Sequence, residues 1–574
     1  MKLKPLTLAL LLSATLFVSP SIAQDNPESW YAFNFPKKLD QNSPLNIGKL
    51  VLDAPAGKHG FVKAVGAEFM FEDGTPIRFW GTNLCFSANF PEKKQAEELA
   101  ERIAFFGFNA VRLHHMDSTF EPRGIFEDVR PAYKNKQMKI TGVLSRKQLD
   151  KLDYLIYQLK LRGIYVDMNL LVARHFTEAD GVKDAEKLGM AAKPYSMFDS
   201  KLIELQKQYA KTLLTHYNPY TKSRYCDDPV IALVEIINES TIFDLAKKKM
   251  PDYYQKEIDS LWEAWSKTIN QTDIATTNVF YRFLEEKYLT EMISYLREEI
   301  KIKTVIGIGS HWNSESRKAQ KLCDFVDLHA YLDHPKFPNK SWDMSNFRIN
   351  NKSALLGNEL GIIGYIKTSQ FKNKPYTITE WNHCYPNQYA YETPVLLASE
   401  AVKNNWGGLF EFAFSHGWKF VPNYNDLHSY FDIIANPQKL ILCSIGSYLL
   451  NSSQDVNFSV ENGVFKLDYS KIIGVSGFIK GKEFTVGDFT IKSDQDGAVF
   501  VYSADNLPIK YSKKLILIAV SEVKNKNSGW NGEKFNWGSP PVLLKSMRVT
   551  VTSKQKSITL DTAELKQPWT ELTF

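Results

Sequence analysis

The sequence predicts an α/β protein, a (β/α)8 TIM barrel with a C-terminal antiparallel β-sandwich, and three observations carry that expectation. Between Gly81 and about residue 430, short apolar runs of strand type alternate with longer segments of helical period, the pattern of repeated βα units. From about residue 453 the helical period is lost, and short runs such as Gly463-Val-Phe-Lys-Leu and Lys514-Leu-Ile-Leu-Ile-Ala-Val are separated by Gly, Asn, Asp and Lys. The 574 residues are several times a typical domain, enough for one large core and a second unit.

In chain order, Met1-Lys-Leu-Lys-Pro5 carries two positive charges and runs into an apolar stretch ending near Val18, followed by Ser21-Ile-Ala23. Basic, then apolar, then small is the order of a cleaved signal peptide over residues 1–23, too short to span a membrane, and it places the mature protein in the periplasm or outside the cell. Residues 24–64 form an N-terminal extension, and 67–80 alternate around Asp73-Gly74 as a hairpin. The barrel occupies 65–435, with strands expected over 79–84, 110–114, 165–170, 230–238, 304–310, 326–330, 376–380 and 408–414. Helices are expected over 93–106, 146–162, 201–216, 277–300 and 395–404. Segments 240–276 and 333–374 exceed ordinary connections and are expected to shape a cleft or a lid. The sandwich covers 453–574; there Trp530 and Trp537 form either a platform or, as the reading preferred here, a packing staple.

The formal charge is +6, two units of which are Lys2 and Lys4 of the leader. No basic stripe points to nucleic acid, and no cationic amphipathic helix points to a membrane surface. Cys85, Cys226, Cys323, Cys384 and Cys443 are odd in number, widely spaced and set in apolar runs, which reads as buried thiols rather than a disulfide scaffold. Cys384 lies four residues past Glu380 and reads as a structural thiol.

Two glutamates stand out. Glu239 ends Val230-Ile-Ala-Leu-Val-Glu-Ile-Ile-Asn-Glu and Glu380 ends Pro375-Tyr-Thr-Ile-Thr-Glu, so both carboxylates are expected where parallel strands leave a barrel core. Two acids presented together at such a mouth are the equipment for cleaving a glycosidic bond. Asn238 offers a neutral donor and acceptor suited to a sugar hydroxyl, Arg112 would keep a neighbouring carboxylate ionised, and alternation places His329 and Tyr331 on one face. Glu235, inside its strand, needs a buried partner and reads as a structural ion pair. His114 and His115, adjacent on a strand, are expected on opposite faces, which argues against a shared metal ion with Asp117, and no metal or cofactor is expected. Trp312, Trp381 and Trp418 are candidate sugar-stacking rings, whereas Trp406 reads as packing. No glycine-rich phosphate loop or nucleophile elbow is present.

Asn-Glu closing one strand, Glu-Trp closing a later one, Arg in Asn-x-Val-Arg and His-x-Tyr between the acids together resemble clan A glycoside hydrolases, most closely family 5, the cellulase family, over roughly residues 65–425. The resemblance implies Glu239 as acid/base, Glu380 as nucleophile, and Arg112, Asn238, His329 and Tyr331 as supporting residues. The family's histidine at the end of the third strand is absent, with Asn169 standing in for it, and Trp418 would be the aromatic platform after the eighth strand. The implied activity is retaining cleavage of a β-linked polysaccharide or oligosaccharide, cellulase- or mannanase-like, by a monomer. The alternatives are an exo-acting or furanoside-cleaving member of the clan, or a barrel that binds carbohydrate without turnover.

Overall fold

The computed structural model describes residues 29–118, 120–128, 141–247, 249–269, 276–310, 313–356, 361–417, 423–452, 455–554 and 556–572. The leader at 1–23, Trp312 and Trp418 lie outside the described residues. Eight parallel strands form the barrel: β1 (Phe79–Cys85), β2 (Ala110–His114), β3 (Tyr165–Leu171), β4 (Ile231–Asn238), β5 (Val305–Gly309), β6 (Val326–Asp333), β7 (Tyr376–His383) and β8 (Gly408–Ser415). Parallel ladders run from β1 through β5 and from β6 through β8 back to β1. The seam between β5 and β6 is bridged by Asp324 N–H to the Ile306 carbonyl at 2.9 Å and Ser310 N–H to Asp327 Oδ2 at 3.0 Å. Nearly every strand residue is buried, because helices cover the outer face of a closed parallel sheet. That burial on both faces is why the strands read as unbroken apolar runs.

Among the described residues the α-helices of six residues or more are α1 (Lys93–Phe105), α2 (Arg146–Leu161), α3 (Ser200–Leu214), α4 (Asp252–Ser266), α5 (Thr277–Glu298), α6 (Ser314–Ala319), α7 (Ile362–Thr368), α8 (Thr393–Asn404) and α9 (Pro437–Ser452). In α2, Ser145 caps the first turn by accepting the Gln148 N–H, and Leu152, Leu155, Ile156 and Leu159 form the buried stripe. Asp199 caps α3 in the same way through Leu202 N–H at 2.7 Å. Four helices fall outside the expected set, the short α6 and α7 and the longer α4 and α9. In α4 the buried residues are sparse, Tyr254, Ile258 and Trp265, and the segment reads as loop. By contrast α9 is buried almost throughout and so has no polar face to create a period.

At the N-terminal end of the barrel a hairpin of Val62–Val65 and Glu68–Phe71 seats Phe69 against Phe79 and Phe325, with ring centroids 5.6 and 5.8 Å apart. After α9, a six-stranded antiparallel sheet (Asn457–Glu461, Val464–Tyr469, Ile472–Gly477, Gly497–Ser503, Leu515–Val520, Trp569–Leu572) faces a four-stranded one (Glu483–Val486, Phe489–Ser493, Arg548–Thr552, Ser557–Asp561). The strand Gly497–Ser503 shows how the two cores are divided. Val499 and Val501 point into the sandwich, while Phe500 and Tyr502 join the barrel-side cluster, as period-two alternation requires. A hairpin of Gly529–Asn531 and Lys534–Asn536 reaches back over the 333–374 segment: Trp530 packs on Phe347 at 5.0 Å, and Trp537 Nε1 donates to the Met344 carbonyl at 2.6 Å. All five cysteines are buried and unbridged.

Candidate active site

At the C-terminal mouth a cavity of ≈ 870 Å³ opens over Glu239, Glu380, Asn238 and Tyr331. Its floor is a polar network rooted in four strands. The Arg112 guanidinium (β2), fully buried, donates twice to Glu235 of β4 at 3.0 and 2.7 Å, to Asn83 Oδ1 of β1 at 3.0 Å, to Asn238 Oδ1 at 2.8 Å and to Glu380 Oε1 of β7 at 2.9 Å. Gly309 of β5 leaves the space this needs, since a Cβ there would collide with Asn238 Oδ1. Glu235 is thus the structural ion pair expected of it. Asp167, 3.9 Å from Arg112 Nε, has its carboxyl pushed well up by burial and then by Glu235.

Glu380 accepts from Arg112 on one oxygen and from the Tyr331 hydroxyl on the other, at 2.6 Å. Burial raises its carboxyl and Glu239 adds to that, while His329, Arg112 and Tyr331 favour the anion. Tyr331, itself raised by burial and by Glu380, keeps its proton and donates, so both oxygens of Glu380 act as acceptors and the carboxylate is the form these contacts hold. Glu239 differs in setting: its side chain is 36% exposed and its Oε1 lies 2.6 Å from His329 Nδ1. His329 Nε2 faces Asp327 Oδ2 at 3.2 Å and Thr379 Oγ1 at 3.1 Å. Burial works against the imidazolium, but Glu380, Asp327 and Glu239 outweigh it and raise His329 well above its ordinary value.

Glu239, His329 and Glu380 present ligand atoms that all lie within 4.8 Å of one another, the set among the described residues that could hold a metal ion. Carboxylates face both ring nitrogens, which favours a proton on His329, and that proton competes with a metal ion for Nδ1.

Three non-glycine residues that leave barrel strands at this mouth have left-handed backbone, Phe86 after β1 (φ 52°), His115 after β2 (φ 57°) and Glu239 after β4 (φ 44°), and all three line the cavity. Such conformations cost roughly 1–3 kcal/mol each and persist where the surroundings over-determine them. They also correct one expectation. β2 ends at His114, and the reversal at His115 turns its ring beside that of His114, 4.0 Å away, instead of to the opposite face. Asp117 then accepts the N–H groups of Val172, Ala173 and Arg174 and anchors the loop after β3.

Among the sequence candidates, Glu239, Glu380, Asn238, His329, Tyr331 and Arg112 come together. Asn169 lies below the cavity, fully buried, with its amide donating to Glu235, so it reaches a substrate only through that network. Trp381, a candidate stacking ring, is buried against Trp80 at 5.9 Å and belongs to the core, and Trp406 packs on Tyr376. Glu380 sits inside β7 rather than at its end, and Tyr331 inside β6. Sequence reasoning missed the cavity walls: Phe86, Arg123, Lys193, Trp342, His416 and Tyr430. His416 was within reach, two residues before Trp418; its Nδ1 pairs with Asp432, whose charge raises the imidazole against the effect of burial.

No protein-family model matches the sequence, and no curated protein is similar enough to count as a relative. Among solved structures, the chain is similar to an endo-1,4-β-mannanase from Rhizomucor miehei at 14% identity, covering 69% of this chain and 100% of that one with a TM-score of 0.46. It is similar to an endo-β-1,4-mannanase from Thermotoga petrophila at 13% identity, covering 85% and 98%, TM-score 0.46. A family 5 glycoside hydrolase, the mannosidase from Rhizomucor miehei, matches at 13% identity over 68% and 97%, TM-score 0.45. With TM-scores under 0.5 the likeness adds no argument, and the chemistry rests on the residues themselves.

Proposed function

We propose that the chain is a retaining β-glycosidase acting on a β-linked oligosaccharide or polysaccharide, with Glu380 as nucleophile and Glu239 as acid/base. The observation that carries this reading is the approach of the two carboxylates: oxygens of Glu239 and Glu380 lie within 4.8 Å of each other under an open cavity. Retaining enzymes hold their carboxyl groups roughly 5–5.5 Å apart, while inverting ones leave roughly 6.5–9.5 Å for a water. The two environments supply the division of labour. Glu380, fixed by donors on both oxygens, attacks the anomeric carbon; the glycosidic C–O bond breaks, and its electron pair takes the proton carried by Glu239. Water then attacks the same carbon, Glu239 accepts its proton, and the bond to Glu380 breaks to restore the carboxylate. His329 Nδ1, 2.6 Å from Glu239 Oε1, is placed to pass Glu239 the proton that goes on to the leaving oxygen, and to take it back when water is activated. Export from the cytoplasm is part of the proposal and is supported by the order of residues 1–23.

The test is hydrolysis of β-linked polysaccharides and aryl β-glycosides, with the first-formed anomer followed by NMR. Retention is expected, together with loss of turnover in Glu380→Gln and, in Glu239→Ala, a far greater loss on poor leaving groups than on activated ones. Inversion, or full activity in Glu380→Gln, overturns the assignment.

A further inference from the structure

The rim of the cavity is polarised. On the side of β2 and β3 it presents Arg123 and Lys193; on the side of β6 and β8 it presents Trp342, Tyr430 and Phe431. Arg123 is built in. The Gln148 amide, buried on α2, donates to the carbonyls of Pro122 at 3.1 Å and Gly124 at 2.9 Å, clamping the turn on both sides of it. Its guanidinium lies 4.0 Å from the centre of the Phe86 ring, and His115 stacks on the same ring at 4.1 Å and 12°. Two groups so close to one ring centre must occupy opposite faces, so the order is His115, Phe86, Arg123. The register explains the stack, since Phe86 and His115 follow the paired residues Cys85 and His114. An aromatic face therefore holds this arginine, and no carboxylate among the described residues is paired with it.

Lys193, half-buried, comes from the loop after β3, where Ala191 and Ala192 have left-handed backbone (φ 54° and 49°) and Ala191 N–H bonds the Arg174 carbonyl at 2.9 Å. It lines the same cavity as Glu239 and Glu380, whose charges, with that of Asp117, work against the effect of burial on its ammonium. Burial lowers both Lys193 and Arg123, so these cations are already partly stripped of water, and an anion reaching them meets charge that solvent screens less. The only carboxylates lining the cavity among the described residues are Glu239 and Glu380. An acidic glycan entering here would be repelled by those two acids, and the two cations offset that repulsion.

We propose that the cavity takes an acidic β-glycan, with one sugar stacked on the Trp342 side and an oxyanion substituent, a carboxylate at C6 or a sulfate ester, held by Arg123 and Lys193. For the sugar part of the ligand the inference rests on the glycosidase reading. The test uses Glu380→Gln protein and calorimetric binding of three matched probes: a cello-oligosaccharide, its C6-carboxylate form and its 6-O-sulfated form. At least one acidic probe should bind about tenfold or more tightly than the neutral one, equivalent to roughly 1.4 kcal/mol. Arg123→Gln and Lys193→Gln should each cut that ratio several-fold, and added salt should weaken it. Preference for the carboxylate alone identifies a uronic acid, and preference for the sulfate alone a sulfated sugar. Equal affinities, no binding of either acidic probe, or a preference that survives both substitutions overturns the inference. Failure of the hydrolase reading looks different: charge-selective binding would persist while wild-type protein turned over none of the acidic or neutral glycosides.

Discussion

At the floor of the barrel mouth, Asn83, Glu235, Asn238 and Glu380 stand on strands, are buried, and all accept hydrogen bonds from the equally buried Arg112. At the rim, Phe86, Arg123, Lys193 and Trp342 stand outside the strands and are held by local devices: one stack shared by Phe86 and Arg123, a clamped turn, and left-handed backbone. The floor is one cooperative object whose members cannot be changed singly without stranding a partner in low dielectric. The rim is a set of nearly separable parts. Catalysis needs the first kind of construction, because reacting groups must not move, and substrate choice can be served by the second.

The largest effect should follow from Glu380→Gln. The amide keeps the shape and one acceptor oxygen but offers no nucleophile, so kcat should fall by about four to six orders of magnitude while the unfolding transition stays cooperative. Residual turnover near the wild-type rate would show that the floor holds Glu380 for structure alone.

Arg112 tests the cooperativity directly. Replacing it with Gln leaves Glu235 buried without its cation, which costs about 3–5 kcal/mol of stability and should be read as a lower denaturant midpoint. In the double variant Arg112→Met, Glu235→Met the Glu235 charge is gone and Glu380 keeps His329 and Tyr331, so part of the stability should return while activity does not, because Glu380 has lost the donor on Oε1. Additive losses would mean that the floor is as modular as the rim.

Much of the floor was legible in the sequence, for a physical reason. Strands buried on both faces read as unbroken apolar runs, so a polar residue inside or at the end of one is conspicuous, and Arg112, Asn238, Glu239 and Glu380 all announce themselves in this way. The strand ends were less legible. β6 and β7 continue to Asp333 and His383, whose polar side chains are satisfied by Asn387 at 2.9 Å and the Lys352 carbonyl at 2.7 Å, partners distant in sequence. Helix α9 was missed because full burial erases amphipathic period. The rim was nearly silent, since no composition marks Phe86 or His115 for left-handed backbone, and Arg123 and Lys193 lie in segments without period.

His329 stands between the two regions and sharpens the comparison through pH. Its folded-state pKa is raised, so the stability it contributes is fully present below its unfolded value of about 6.5 and is lost as pH rises through the folded value. Its Nδ1 faces Glu239 Oε1 at 2.6 Å, so the same proton is within reach of the acid/base. In a pH profile of kcat/KM, His329→Asn should therefore move the basic limb toward acid, because the remaining proton belongs to a lone carboxyl. An unmoved limb would assign the essential proton elsewhere.

The smallest effect should come from Trp342, 58% exposed, and there the rim reading is most open to attack. Its ring lies 5.1 Å from Phe337 and 5.8 Å from His334, packing that anchors one edge and leaves area for a sugar. Trp342→Ala should change stability by no more than about 0.5 kcal/mol, as for other exposed positions. Losing a stacking face should raise KM for a polymeric substrate several-fold, about 1 kcal/mol, with kcat held within a factor of about two, because binding is lost equally from ground and transition states. A matching fall in kcat would mean that the ring positions the scissile bond, and then the line between a cooperative floor and a modular rim would have to be drawn higher up the mouth, with the loop after β6 counted among the parts that must not move.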